Sequence, residues 1–199
     1  MSERTDGRTI RYAHRRTELL HAVTDHVLEA GLADLTLRRV ASAIGVSHAT
    51  LVHHFATRDQ LITEIVDDVL TRVLMPSPHG IAAGFDLRSA WAWLQTPEGS
   101  RATRLYLSIS GLALYGDPPY AAALRRSQEQ RLAALSEGLR LVGCPPQEAE
   151  AVATTLLARV RGLAADLLLT GDRPRLDRAF DELLRDAEAR SATWTPPRT

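Results

Sequence analysis

Apolar residues along this chain recur every three or four positions, the period of an amphipathic helix, and almost nowhere alternate as a half-buried strand would. From Arg15 onward, Leu19, Val23, Val27 and Ala30 fall on one stripe, and Gly31 follows where a helix would stop. Three short helices come next, each announced by a hydroxyl residue able to accept from free backbone amides: Thr36 before LRRVASAI, Ser47 before HATLVHHF, and Thr57 before RDQLITEIVDDVLTRVL. An apolar pair brackets every cap, Leu35 with Val40, Val46 with Leu51 and Ala56 with Leu61, and Gln60 occupies the capping-box position of the third. The run PSPHG at Pro76 to Gly80 ends the fourth helix. Beyond it the pattern predicts helices over about Leu87 to Leu94, Pro97 to Tyr115, Pro119 to Val142, Gln147 to Thr170 and Pro174 to Ala189. Residues before about Thr9 and after Ser191 are expected to be mobile.

Composition narrows this all-α reading. At 199 residues, 45% of them apolar and 24% charged, the chain is expected to fold as one larger domain or two small ones. Basic and acidic residues balance at 24 each, so any site for nucleic acid must be local. Every basic residue is Arg, a uniformity we attribute to genomic base composition. The lone cysteine, Cys144, excludes an internal disulfide or a zinc site built on Cys, and reads as a small packing residue beside Pro145 and Pro146. Without an apolar leader or a run of about eighteen apolar residues, neither a signal peptide nor a membrane span is expected, and the expected location is cytoplasmic.

Function is carried by TLRRVASAIGVSHATLVHHF, residues 36–55: a short helix, the turn Gly45-Val46-Ser47, and a second short helix. Ala41 and Gly45 are small enough for a close crossing, while Leu37, Val40, Ile44, Val46 and Leu51 form the common buried face. This is helix-turn-helix patterning. The second helix leaves His48, Ala49, Thr50 and His53 on its free side, with open amides at its start for a phosphate. Within residues 1–16 there are 5 Arg against 2 acidic residues, and six of the seven His lie in the first sixty. A cationic arm beside such a motif suits phosphate contact.

Over RRTELLHAVTDHVLEAGLADLTLRRVASAIGVSHATLVHHFATRDQL, the L-x-x-V-A-x-x-x-G-V-S turn, the L-x-x-H-F ending and the capped helix after it stand in register, and this stretch resembles the TetR family of bacterial transcriptional regulators. The resemblance covers some forty-five residues. It departs from the family where Val52 replaces the usual Tyr and Arg58 the usual Lys, which shifts the expected footprint onto Thr50, His54 and Arg58. The candidate DNA-contacting residues are therefore Thr36, Arg38, Ser47, His48, Ala49, Thr50, His53, His54 and Arg58. Structural roles compete at Phe55 and His54, which could close a small core. A metal site at His48, His53 and His54 is not expected, since neither a carboxylate nor a Cys joins them.

The resemblance implies a domain plan: a DNA-binding domain over 1–57, a connecting helix over 58–74, and an effector-binding and dimerisation domain over 75–199. The sequence adds its own reasons. Between Ala149 and Leu169 the helix is apolar nearly all round, interrupted by Thr154, Thr155, Arg159, Arg161 and Asp166, so cover is expected on two sides. With the last helix it would build a four-helix interface in a homodimer, through Leu156, Val160, Leu163, Leu167, Leu176, Phe180, Leu183 and Leu184. Polar groups in otherwise apolar helices, with aromatics nearby, suggest an effector pocket lined by Trp91, Tyr106, Ser110, Tyr115 and Arg159; Trp93, Met75 and Phe85 lie close in sequence. Asp166, seven residues from Arg159, is its expected ion partner.

The resulting expectation is a homodimeric repressor, released from a palindromic double-stranded DNA operator by an unidentified small molecule, with no cofactor, metal or membrane partner. A small helical enzyme is disfavoured because H-E-x-x-H, G-x-S-x-G and a phosphate-cradling glycine loop are all missing. The remaining alternative is a helical ligand-binding or scaffold protein whose helix-turn-helix no longer works, which the loss of the Tyr at Val52 makes conceivable.

Overall fold

The computed structural model describes residues 3–32, 35–74, 87–116 and 118–194. Among them there are nine helices and no strand: α1 (Glu3–Ala30), α2 (Leu37–Ala43), α3 (His48–Phe55), α4 (Arg58–Leu74), α5 (Leu87–Leu94), α6 (Pro97–Leu114), α7 (Pro118–Leu141), α8 (Pro146–Thr170) and α9 (Arg173–Ser191). The all-α expectation holds, and all starts but the first fall within a residue or so of the pattern's. The exception is α1, which begins at Glu3, well before Arg15, and so replaces an expected mobile arm with helix. Its first turns carry Ile10 and Tyr12 on exposed positions, 61% and 40% accessible, so burial leaves no apolar stripe there to read. Extending a helix that already exists costs far less than nucleating one.

Each hydroxyl cap forms as the spacing requires. Thr36 accepts from the amide of Arg39 at 3.2 Å, Ser47 from Thr50 at 3.0 Å, and Thr57 from Gln60 at 3.1 Å. The expected capping box does not close. Thr57 already donates its amide to the Phe55 carbonyl, and the Gln60 side chain turns instead to Glu64, 3.2 Å away. Gly31, at φ 79°, ends α1 and donates to the Val27 carbonyl at 2.9 Å.

The chain divides into two compact units, one of residues up to 72 together with 108–125, the other of 73–107 with the residues from 126 onward. In the first, the stripe from α1 (Leu19, Val23, Val27) is buried, as are Val40 and Ala41 of α2, Leu51 and Phe55 of α3, and Leu61, Ile62 and Ile65 of α4. In the second, Trp91 of α5 stacks on Phe180 of α9 with ring centroids 4.9 Å apart, inside a cluster completed by Leu176, Leu183 and Leu184. The indole Nε1 donates to Asp177 at 2.8 Å, which satisfies its buried N–H. A neighbouring cluster of Leu139, Ala149, Val152 and Ala153 encloses Cys144, and burial pushes its thiol pKa up. Cys144 is thus the packing residue the sequence suggested.

Where α5 meets α6 the backbones nearly touch. Thr96 caps α6 by accepting from the Gly99 amide at 3.1 Å while donating to the Trp93 carbonyl at 2.7 Å. A Cβ at Gly99 would stand 2.1 Å from that carbonyl oxygen. The obstructing atoms are backbone and cannot rotate away. Gly99→Ala should therefore cost about 1–3 kcal/mol in denaturant titration. By contrast Gly111→Ala, where an added Cβ meets nothing within 4 Å, should be neutral or stabilising.

Candidate nucleic-acid interface

Residues 36–55 fold into the two short helices and tight turn that their pattern predicts. The turn closes because the Val46 amide donates to the Ala41 carbonyl at 2.9 Å and Gly45 takes φ 71°, a left-handed value that glycine adopts without strain. Gly45 does not serve the close helix crossing expected of it, since a Cβ there would meet nothing within 4 Å. Its backbone angle is what the turn requires. Ala41, 2% exposed, does sit at the packed face.

Within α3, Leu51 and Phe55 are fully buried. That seating turns the rest of the helix outward: Ser47, His48, Ala49, Val52 and His53 are exposed, while Thr50 and His54 are half-buried. The Ser47 and Thr50 hydroxyls lie 2.8 Å apart at the start of α3, so the free amides and two hydroxyls converge on one spot. Thr36 and Arg38 are exposed beside it. Of the predicted DNA-contacting residues, Thr36, Arg38, Ser47, His48, Ala49, Thr50 and His53 therefore share the accessible side of the motif or its margin.

Two of the predicted residues are occupied otherwise. Arg58 donates through Nε to the Leu35 carbonyl at 2.8 Å and pairs with Asp59 at 3.6 Å, so its guanidinium braces the entry to α2. His54 stacks on Tyr12 at 4.6 Å, and its buried Nδ1 has no hydrogen-bond partner. Burial first, and then the charges of His53, Arg16 and Arg15, hold its pKa below the ordinary histidine value. His54 closes the small core and stays neutral.

Sequence reading missed the residues that fix the far end of α3. The last carbonyls of a helix lack internal partners and attract cations. Here Tyr12 donates to the His53 carbonyl at 3.2 Å and Arg16 donates to the His54 carbonyl at 3.2 Å. The Arg16 guanidinium also lies 5.1 Å from the Phe55 ring centroid and pairs with Glu64 of α4 at 2.5 Å. By sequence Arg16 falls within the cationic arm suited to phosphate contact. Its spacing of four from Tyr12 was the available signal, but one sequence cannot show which carbonyl a side chain will meet.

The predicted effector residues are divided between the two units. Tyr115 is 95% exposed, and it and Ser110 belong to the first unit. Trp91, Tyr106 and Arg159 belong to the second. Trp91 walls a cleft of roughly 430 Å³ between α5 and α9, where Arg88 pairs with Asp181 and Asp177 already accepts from Trp91 and Gln95. Those polar groups satisfy one another. Arg159 pairs with Asp186 of α9 at 2.8 Å, and Asp166 pairs with Arg175. The expected pairing of Arg159 with Asp166 fails because seven residues span about 10 Å of helix, whereas α9 runs alongside. Met75 and Phe85 lie outside the described residues.

The predicted dimer contacts divide between buried and half-buried positions. Leu176, Phe180, Leu183 and Leu184 are at most 5% exposed in the isolated chain, and Leu156, Val160, Leu163 and Leu167 pack against the same cluster. The α9 residues close the chain's own core and leave little area for a second copy, while the four α8 residues remain half-buried. The other side of α8 is open. Ala151, Thr155, Ala158, Gly162 and Leu169 are exposed on it, Leu169 by 83%.

No group of three His, Cys, Asp or Glu positioned for a metal occurs among the described residues, and no described helix is long and apolar enough to cross a membrane. Residues 19–65 match the sequence model of "Bacterial regulatory proteins, tetR family". The HTH-type transcriptional repressor KstR2 of Rhodococcus jostii (strain RHA1) is 31% identical over 103 residues, which are 52% of this chain and 49% of that protein. The chain thus aligns with about half of that relative's length. A crystal structure of a transcriptional regulator from Rhodococcus sp. Rha1 is 28% identical with a TM-score of 0.56, over 78% of this chain and 84% of that one. A TetR transcription regulator from Haloarcula marismortui ATCC 43049 shares the fold at TM-score 0.64 and 22% identity, over 89% and 98% of the two chains.

His54 sets a pH dependence for the motif. With its pKa lowered in the fold, the unfolded chain takes the proton first. The stability contributed by neutral His54 is complete above the ordinary value of about 6.5 and is lost as pH falls below it, toward the lowered folded value. The thermal midpoint should drop between about pH 7 and about pH 5.5, and less so in His54→Gln. An equal drop in both proteins would assign the titration to another group.

Proposed function

We propose that the chain, whose residues 19–65 match the model of the tetR family of bacterial regulatory proteins, belongs to that family and is a DNA-binding transcriptional repressor controlled by a small molecule. One observation carries the reading. The capped helix α3 buries Leu51 and Phe55 and turns Ser47, His48, Ala49, Thr50 and His53 toward the outside, which is the form of a helix that enters a major groove by its amino-terminal end. Ser47, Thr50 and the first amides of α3 meet a phosphate, while His48 and Ala49 approach base edges. Arg58 contributes by holding Leu35, and His54 by packing, in place of direct contact.

The repressor acts as a homodimer on a palindromic operator, with half-sites about 34 Å apart or a multiple of that. Its partner surface is the open side of α8. Ala151, Thr155, Ala158, Gly162, Ala165 and Leu169 recur at alternating intervals of four and three, a narrow apolar seam of small residues against which a second helix packs closely. The Thr155 hydroxyl is satisfied within its own helix by the Ala151 carbonyl at 2.9 Å, so covering it leaves no unpaired group. Effector binding in the second unit is transmitted through α4, which follows directly from the turn after α3, and changes operator affinity by a coupling of about 1–3 kcal/mol.

Electrophoretic retardation with the DNA upstream of the protein's own gene is the direct test. Ala49→Asp, which places a carboxylate against the phosphates, should weaken retention more than about tenfold without changing the helical circular dichroism. Failure of any duplex to be retained at low salt would favour a ligand-binding bundle with an inactive motif. Separately, Gly162→Arg should convert the dimer to monomer in analytical ultracentrifugation and weaken operator binding with it, whereas an unchanged dimer would place the interface elsewhere.

A further inference from the structure

Helices α6, α7 and α8 bring two guanidinium groups together in the second unit, with no acid among the described residues to balance them. Arg131 of α7 is 5% exposed, and its Nε and Nη2 are buried with no hydrogen-bond partner. Arg161 of α8 is half-buried; it donates from Nη2 to Gln128, while its Nε is buried and unpartnered. Both groups lie over the ring of Tyr106, with Cζ 5.0 Å and 5.5 Å from its centroid. Gln128 completes the cluster by donating to the Tyr106 hydroxyl at 2.5 Å. Among the described residues neither arginine makes an ion pair, whereas Arg16, Arg88, Arg159 and Arg190 each have a carboxylate within 4.0 Å.

This arrangement is costly for a ligand-free protein. Burial first, and then the neighbouring charge of Arg161, push the pKa of Arg131 down to about 10, which still leaves it charged at neutral pH. The aromatic face beneath offsets part of the lost hydration, but a ring is a weak substitute for a carboxylate. The atoms left open are informative. Nε and Nη2 form one edge of the guanidinium fork, the edge whose two parallel N–H groups match the two oxygens of a carboxylate or phosphate. Arg161 adds a third open donor, and Gln128 fixes its orientation.

We infer that Arg131 and Arg161, with Tyr106 beneath them, form the head-group site of the effector, and that this effector is an organic oxyanion, a carboxylate or a phosphate ester. The inference rests on the effector-controlled reading given above and specifies its chemistry. Of the residues expected to line a pocket, Tyr106 alone takes part, as the platform for the two cations.

The test uses the purified full chain with four probes at matched ionic strength: octanoate, octyl phosphate, octan-1-ol and octanamide. The two anions should raise the thermal midpoint and bind the native protein at least about thirtyfold more tightly than Arg131→Met. The alcohol and the amide should not distinguish the two proteins. Octanoate binding the tighter identifies a carboxylate, and octyl phosphate a phosphate ester. Arg131→Met should also be more stable than the native chain without ligand, because it removes an unpaired buried charge. Anions that bind no better than the alcohol, or that bind Arg131→Met as well as the native chain, overturn the site. If Arg131→Met folds poorly, the Nε resonances of native Arg131 and Arg161 decide, and resonances unmoved by either anion overturn it. Operator retardation by the native chain without anion binding refutes this site alone, while anion binding without retention of any duplex refutes the regulator reading alone.

Discussion

The Arg16 guanidinium ties three helices together at the place where their alignment matters most. It donates to the last turn of α3, covers the Phe55 ring and pairs with Glu64 of α4. A two-turn helix cannot hold its own orientation, since half of its backbone groups lack an internal partner. What fixes α3 is a cap at each end: the Ser47 hydroxyl at its start, Tyr12 and Arg16 on its last carbonyls, with Leu51 and Phe55 buried between. The outward set from Ser47 to His53 follows from that fixation. Contact with a groove is a matter of ångströms, so the precision of the outer face depends on residues that do not touch it.

Charge is used in opposite ways in the two units. Around α3 the cations meet carbonyls or carboxylates: Arg16 has His54 and Glu64, Arg58 has Leu35 and Asp59. These are braces. In the second unit Arg131 and Arg161 share a tyrosine ring and a glutamine, with no acid between them among the described residues. The energetic contrast separates structural arginines, which meet a carbonyl and a carboxylate, from arginines whose buried donors stay open and invite an anion. A formal charge of zero for the whole chain conceals both patterns.

Burial decides which face of a helix is available. The apolar stripe of α9, Leu176, Phe180, Leu183 and Leu184, has the period of an interface and also the period of a core. In the fold it closes on Trp91 and on the leucines of α8. Small residues on the reverse of α8 remain open, and they attract little notice in a hydropathy pattern because each buries so little by itself.

Local physics was legible in the sequence. Helix content, the three hydroxyl caps, the turn with Gly45 at positive φ and the inward set Leu51 and Phe55 all follow from neighbours within about four residues, where spacing alone dictates geometry. Partners distant in the chain were decided by the tertiary structure. Tyr12 meets His53, Arg58 meets Leu35, Arg159 meets Asp186 and not Asp166, and Arg131 meets Arg161 over Tyr106. The physical reason is common to all of them: a long side chain pairs with whatever the packing of helices brings within about 3 Å, and helix periodicity carries no information about that.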